Sequence, residues 1–239
     1  MRIALLGYGK MGKVIEQIAL QRGHEISARI DISNRADLLS LSPDNTDAVI
    51  EFSSPESAYG NLKFCMEFGL PTVSGTTGWL QHKHEIEKLC LENKGAFFYA
   101  SNYSIGVNLF FELNKTLARL MNPYTTEYKV SSNEIHHTEK KDSPSGTAIT
   151  LAEGIIENLA SKDKWVNNQI AAENEVPIWS SREGKVPGTH EIKYISDVDQ
   201  LEIKHIAHSR NGFALGAVIA AEWIYGKTGI FGMKDMLGF

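Results

Sequence analysis

Six residues near the start of the chain, Gly7-Tyr8-Gly9-Lys10-Met11-Gly12, do most to limit what it can fold into. They match G-x-G-x-x-G and stand between an apolar run at residues 3–6 and a stretch in which Met11, Val14, Ile15, Ile18 and Ala19 recur at helical spacing. That order predicts a strand, a glycine turn and a helix. Gly7 then permits the tight turn, Gly9 lets a pyrophosphate approach the backbone, and Gly12 allows the helix to pack closely on the strand. The phosphates face the free N–H groups of the helix start. Asp31 closes a second apolar run at residues 25–30, where a carboxylate accepts hydrogen bonds from an adenosine ribose. The loop residues and Asp31 are therefore candidate dinucleotide-binding residues. Asp31 repels a 2′-phosphate and so favours NADH, while Lys10, Lys13 and Arg35 can compensate for that repulsion, so NADH is expected first with NADPH as the alternative.

The same alternation continues. An apolar run at residues 48–52 ends at Ser53-Ser54-Pro55, where Ser54 is a candidate N-cap, Pro55 the first helical residue and Gly69 the stop. A short strand is expected at 71–74, a helix at 80–93 and a strand at 96–99, and strands alternating with helices imply a doubly wound parallel sheet. The loops Ser74-Gly75-Thr76-Thr77-Gly78 and Ala100-Ser101-Asn102-Tyr103 follow strands of that sheet and are expected to flank a nicotinamide.

Beyond Asn102 the pattern changes to a helix at 107–120 and longer strand candidates at 127–135, 189–195 and 201–208. The fold expected is thus α/β, a Rossmann-type doubly wound sheet plus a second α+β domain with a mixed sheet. Residues 1–103 and 209–239 are assigned to dinucleotide binding, with a helix at 213–225 and a helical turn at 234–237 returning to that domain. Residues 104–208 are assigned to substrate binding, and to oligomerisation by the family resemblance given below. Hinges are expected near 102–104 and 208–212, and residues 161–176, rich in Lys, Asn and Asp, read as a surface connection.

Charge and composition narrow the function. A net charge of −5 gives no basic footprint for nucleic acid or an anionic membrane, and no apolar run is long enough to span a bilayer. Cys65 and Cys90 are the only cysteines and fall in amphipathic stretches, so they read as small hydrophobes in a protein of the reducing cytoplasm.

The chemistry concentrates in Glu134-Ile135-His136-His137-Thr138-Glu139-Lys140-Lys141-Asp142-Ser143-Pro144-Ser145-Gly146-Thr147. Adjacent His136 and His137 on a strand point to opposite faces, which argues against a shared metal, and no metal is expected. An imidazole can donate a proton while hydride arrives next to it, and Lys140 can supply a proton or clamp a carboxylate. Ser145, Gly146 and Thr147 open a helix whose N–H groups suit an anion, and Asp142 orients the loop. Taken singly, a strand histidine is usually structural and Lys140-Lys141 a solvated pair; together those readings become strained.

The chain resembles the 4-hydroxy-tetrahydrodipicolinate reductase family, of the diaminopimelate route to lysine, over nearly its whole length. The likeness rests on Gly7 to Gly12, Glu51-Phe52-Ser53-Ser54-Pro55, Ser74 to Gly78, Asn102-Tyr103-Ser104-Ile105-Gly106-Val107-Asn108, the pattern E-x-H-H-x-x-K-x-D-x-P-S-G-T from Glu134, and Ser181-Arg182-Glu183-Gly184 with Val186-Pro187-Gly188-Thr189. It implies NADH- or NADPH-dependent reduction of a cyclic, imine-containing dicarboxylate with loss of water. His136 would be the proton donor and Lys140 the second catalytic residue, though which of them gives the proton stays open. His137, Lys140, Gly146 and Thr147 would bind substrate. Phe52, Gly75, Thr76, Thr77, Ala100, Ser101, Asn102 and Tyr103 would join the glycine loop around the cofactor, and the family implies a homotetramer. An amino-acid dehydrogenase of similar build would share the glycine loop without His136, His137 and Lys140, and a non-catalytic nucleotide-sensing module would need no proton donor.

Overall fold

The computed structural model describes residues 1–209 and 211–239. Arg210, inside the expected 208–212 crossing, lies outside the described residues. The chain divides into two units, Met1–Ile105 with Asn211–Phe239, and Gly106–Arg210.

In the first unit, β1 (Arg2–Leu6), β2 (Glu25–Ile30), β3 (Ala48–Glu51), β4 (Thr72–Ser74), β5 (Ala96–Tyr99) and β11 (Gly229–Phe231) form one sheet in the order β11-β5-β4-β3-β1-β2. Every pairing is parallel. Such a sheet is covered on both faces, which is why β1 and β3 read as continuous apolar runs. One face carries α1 (Lys10–Gln21) and α6 (Asn211–Ile224), packed over Ile3, Leu5, Ile50 and Val73. The other carries α2 (Pro55–Glu67) and α3 (Lys83–Glu92), packed over Ala4, Leu6, Val49 and Phe97. The alanines of α6 let it lie close: a Cβ on Gly216 would stand 1.7 Å from the Tyr103 carbonyl oxygen. The chain reverses beside β1, between β2 and β3, so the loop after β1 opens at the crevice where such sheets bind ligands.

The second unit begins within α4 (Ile105–Met121) and holds a mixed sheet ordered β10-β9-β6-β8-β7. Its strands are β6 (Lys129–His136), β7 (Lys164–Val166), β8 (Glu175–Arg182), β9 (Gly188–Ile195) and β10 (Gln200–Ala207). β9 runs antiparallel to β6 and β10, whereas β8 runs parallel to β6 and β7. One face packs Val130, Ile178, Ile192 and Tyr194 against α4 and α5 (Gly146–Ile156). Alternation along β6 sends Val130, Ser132, Glu134 and His136 to that covered face.

Three strands were not among the sequence expectations. Residues 161–176, expected as a surface connection, contain β7 and the first residues of β8. β7 is a three-residue edge strand whose pairing, not its composition, defines it, and β8 carries Pro177, a residue that argues against a strand in sequence. β11 is equally short and is recognisable only by its pairing with β5.

Candidate active site

The first unit builds a cradle from backbone. Gly7 has φ +96°, and a Cβ there would fall 2.1 Å from the Phe52 carbonyl oxygen. One on Gly12 would fall 2.3 Å from the Gly7 oxygen, so both positions require glycine. Gly9, the N-cap of α1, has open space where its Cβ would be, and the first turn of α1 holds no acidic side chain. A phosphate fits such a loop. Lys10 is exposed and Met11 packs on the core. Tyr8 donates its hydroxyl to Glu16, which also pairs with Arg29. Asp31 Oδ1 accepts the Ser33 N–H at 2.8 Å and its hydroxyl at 2.6 Å, which holds the carboxyl below its usual range.

Glu51 had no role in the sequence reading beyond its motif. It ends β3 wholly buried and accepts the Ser53 N–H at 3.0 Å, the Ser74 hydroxyl at 2.7 Å, the Thr76 hydroxyl at 2.8 Å and the Ser53 hydroxyl. One carboxylate thus ties the loops after β3 and β4. Two of the expected cofactor residues turn their side chains into the scaffold. Thr76 turns inward to Glu51, and Tyr103 is buried between Phe52 and Phe98 with its hydroxyl donated to the Ser74 oxygen at 2.7 Å. Both serve as scaffold because their polar atoms are already satisfied inside, leaving only their backbone to a ligand. Gly75 sits against the Phe52 ring, where a Cβ would clash at 2.2 Å. Thr77 and Ser101 are exposed, Asn102 half-buried and Ala100 buried.

In the second unit the reacting segment is organised by Glu134, also wholly buried. Its oxygens accept the Ser145 N–H at 3.0 and 3.2 Å, and Ser145 caps α5 by accepting the Ala148 N–H. Arg182 Nη1 and His136 Nε2 each stand 3.5 Å from the same carboxylate. Burial works to raise the Glu134 pKa, but His136, Ser145 and Ser180 together hold it well below the carboxylate range. His136 donates Nδ1–H to the Pro187 carbonyl at 3.2 Å. Gly188 makes room for it, since a Cβ there would lie 2.9 Å from His136 Cε1. His190, opposite Glu134 on β9, meets His136 edge-on with ring centroids 5.1 Å apart, and its own pKa is pushed down to about 4 by burial and then by His136.

Lys140 is held by Asp142 at 2.8 Å, and His137 is half-buried just past the end of β6. Gly146 is exposed with nothing near its missing Cβ, and Thr147 is half-buried in the first turn of α5. The expected proton-handling and anion-binding residues therefore lie in one unit, joined through Glu134. His190 is the residue that sequence reasoning missed. Its signal was available, a titratable side chain on the strand face shared with Ile192 and Tyr194.

Residues 1–103 match the family model described as dihydrodipicolinate reductase, N-terminus, and residues 106–237 the one described as its C-terminus. The chain belongs to this reductase family. A 4-hydroxy-tetrahydrodipicolinate reductase of Christiangramia forsetii is 49% identical, the match covering 99% of this chain and 98% of the relative. One from Methanococcoides burtonii is 35% identical, over 96% of each. Among solved structures, a dipicolinate-bound dihydrodipicolinate reductase from Paenisporosarcina sp. TG-14 superposes with a TM-score of 0.76 over 98% of each chain at 23% identity, a likeness of fold. The reductase family comprises nicotinamide-dependent oxidoreductases of lysine biosynthesis, and the expected family and fold class are both borne out. No helix among the described residues of this reductase chain is long and apolar enough to cross a membrane.

Proposed function

We propose that the chain reduces 4-hydroxy-tetrahydrodipicolinate to tetrahydrodipicolinate with loss of water, in the diaminopimelate route to lysine. The observation that carries this reading is the Glu134 carboxylate, which joins His136 to the Ser145 N–H at the start of α5 and so couples a proton carrier to an anion-binding helix end. Homologues named for this reaction support it over both alternatives.

The glycine loop from Gly7 to Gly12 holds the pyrophosphate, and Asp31 accepts the ribose hydroxyls, so NADH is preferred over NADPH. Gly75, Thr76, Thr77, Ala100, Ser101, Asn102 and Tyr103 border the nicotinamide, Thr76 and Tyr103 through backbone, with Phe52 beneath Gly75. A bound nicotinamide supplies the hydride. Hydride addition to the conjugated ring leaves electron density that one proton must neutralise, and His136 provides it. Lys140 and His137 hold one carboxylate of the substrate and the N–H groups of Gly146 and Thr147 the other.

A specific observation favours a second reading, in which Lys140 gives the proton. His136 Nε2 is buried against Glu134, so its delivery requires the ring to swing outward, whereas the Lys140 ammonium is already partly exposed. NADH oxidation with the condensation product of pyruvate and aspartate semialdehyde tests both readings. His136→Gln is expected to lose on the order of 10²-fold or more in kcat. Lys140→Arg should raise KM while keeping kcat within about tenfold if Lys140 is the clamp, and should collapse kcat if it is the donor. No turnover by the parent sinks the reductase reading.

The uncovered face of the second sheet exposes Trp179 and Ile206 beside the Glu191, Lys193 and Lys204 ion pairs. We propose that copies of the chain meet there in a homotetramer. Light scattering should give four chains, and a monomer would refute it.

A further inference from the structure

Three side chains on the covered face of the second sheet converge on one point: Glu134 of β6, its register partner His190 of β9, and His136 two residues along. Their ligand-capable atoms all lie within 4.8 Å of one another, and all three residues are buried. His136 Nδ1 faces a carbonyl oxygen, which only accepts, so the proton of a neutral ring sits on Nδ1 and Nε2 carries a lone pair toward Glu134. His136 Nε2 and His190 Nδ1 have no hydrogen-bond partner among the described residues, and the two residues are only 8% and 4% exposed. A buried carboxylate and two imidazole nitrogens without hydrogen-bond partners among the described residues thus meet at one point, where the Ser145 N–H already donates to the carboxylate. A buried imidazole nitrogen left unpartnered is costly, and a cation held by the carboxylate relieves both rings at once.

The chemistry of the set selects the cation. Two imidazoles and one carboxylate suit a zinc-like ion and not magnesium or calcium, which favour oxygen ligands. Two imidazoles on one tetrahedral ion with metal–nitrogen bonds of about 2 Å hold their ring centroids roughly 5 Å apart, and the two rings here stand 5.1 Å apart. The outer contacts that steady such ligands are also present, Nδ1–H of His136 on the Pro187 oxygen and the Ser145 N–H on Glu134. Arg182, 3.5 Å from Glu134, competes with a cation for the carboxylate and lowers the affinity expected of the site. We propose that Glu134, His136 and His190 bind a zinc-like divalent cation, which locks the His136 ring against Glu134 and inhibits the enzyme. The inhibitory half rests on the proton role given to His136 above; the binding half does not.

The test titrates the full chain, freed of any metal-binding tag, with cobalt(II) followed by visible absorption and with zinc followed by calorimetry, for the parent, His190→Phe and His136→Gln. One equivalent with a tetrahedral cobalt spectrum is expected, weakened on the order of 10²-fold in either variant. Thermal unfolding checks that each variant folds; if His190→Phe does not, His136→Gln carries the comparison. No binding by the parent, or equal affinity in a folded variant, overturns the site. Zinc should lower parental NADH oxidation in step with occupancy, and EDTA should restore it. Full turnover with the site occupied overturns the inhibition. A parent that binds cobalt but never oxidises NADH refutes the reductase reading and leaves the site standing.

Discussion

Glu51, which ends β3, and Glu134, two residues before the end of β6, are both wholly buried carboxylates, one in each unit, and they are served by different kinds of partner. Glu51 takes hydrogen bonds from neutral donors, the Ser53 N–H and the hydroxyls of Ser53, Ser74 and Thr76, all within 3.0 Å. Glu134 takes its hydrogen bonds from the Ser145 N–H, with Ser180 also helping to hold its pKa down, and faces the ionisable His136 and Arg182 at 3.5 Å. Neutral donors at short range saturate a carboxylate and fix the loops that carry them. Charge-bearing partners at longer range leave room for a proton to move. On the proton role proposed for His136, the difference separates a carboxylate that holds loops in place from one that would take part, at one remove, in proton handling.

Substitutions at the two sites sharpen or break that contrast. The largest effect is expected for Glu134→Gln, which removes the anion facing His136: kcat should fall on the order of 10²-fold with the KM for NADH little changed, read by steady-state kinetics. Gly188→Ala pushes on the His136 ring through a 2.9 Å contact with Cε1 and should cost about tenfold in kcat with unfolding little affected. Glu51→Gln leaves hydroxyl donors poorly matched; denaturant unfolding should show a loss of about 1–3 kcal/mol and the KM for NADH should rise several-fold, with kcat retained. The smallest effect is expected from thiol reagents. Burial pushes the Cys65 thiol up to about 12 and Cys90 up to about 11, so neither should react with Ellman's reagent in the native chain near neutral pH, and both should react after unfolding.

The parts of the molecule that were legible in sequence are those written in local pattern. The glycine loop announces itself because Gly7 and Gly12 meet backbone that no Cβ could pass. The inner strands β1 and β3 are legible because both faces of the sheet are covered there, so they read as nearly continuous apolar runs. What was hidden depends on pairing or on distant partners. β7 and β11 are three residues each and exist through β8 and β5. Glu51 and Glu134 stood inside quoted motifs, but a carboxylate's purpose is set by the donors that reach it, and Ser145 lies 11 residues from Glu134 and Thr76 25 from Glu51. The scaffold role of the Tyr103 side chain was hidden for the same reason, since its hydroxyl finds Ser74, 29 residues away.

The contrast between the two carboxylates is tested most directly by measuring kcat and the KM for NADH of Glu134→Gln and Glu51→Gln side by side with the parent, on the same substrate preparation. The account predicts that Glu134→Gln lowers kcat on the order of 10²-fold at nearly constant KM, and that Glu51→Gln raises KM several-fold at nearly constant kcat. The reverse pattern, or an equal loss of kcat in both, would contradict it.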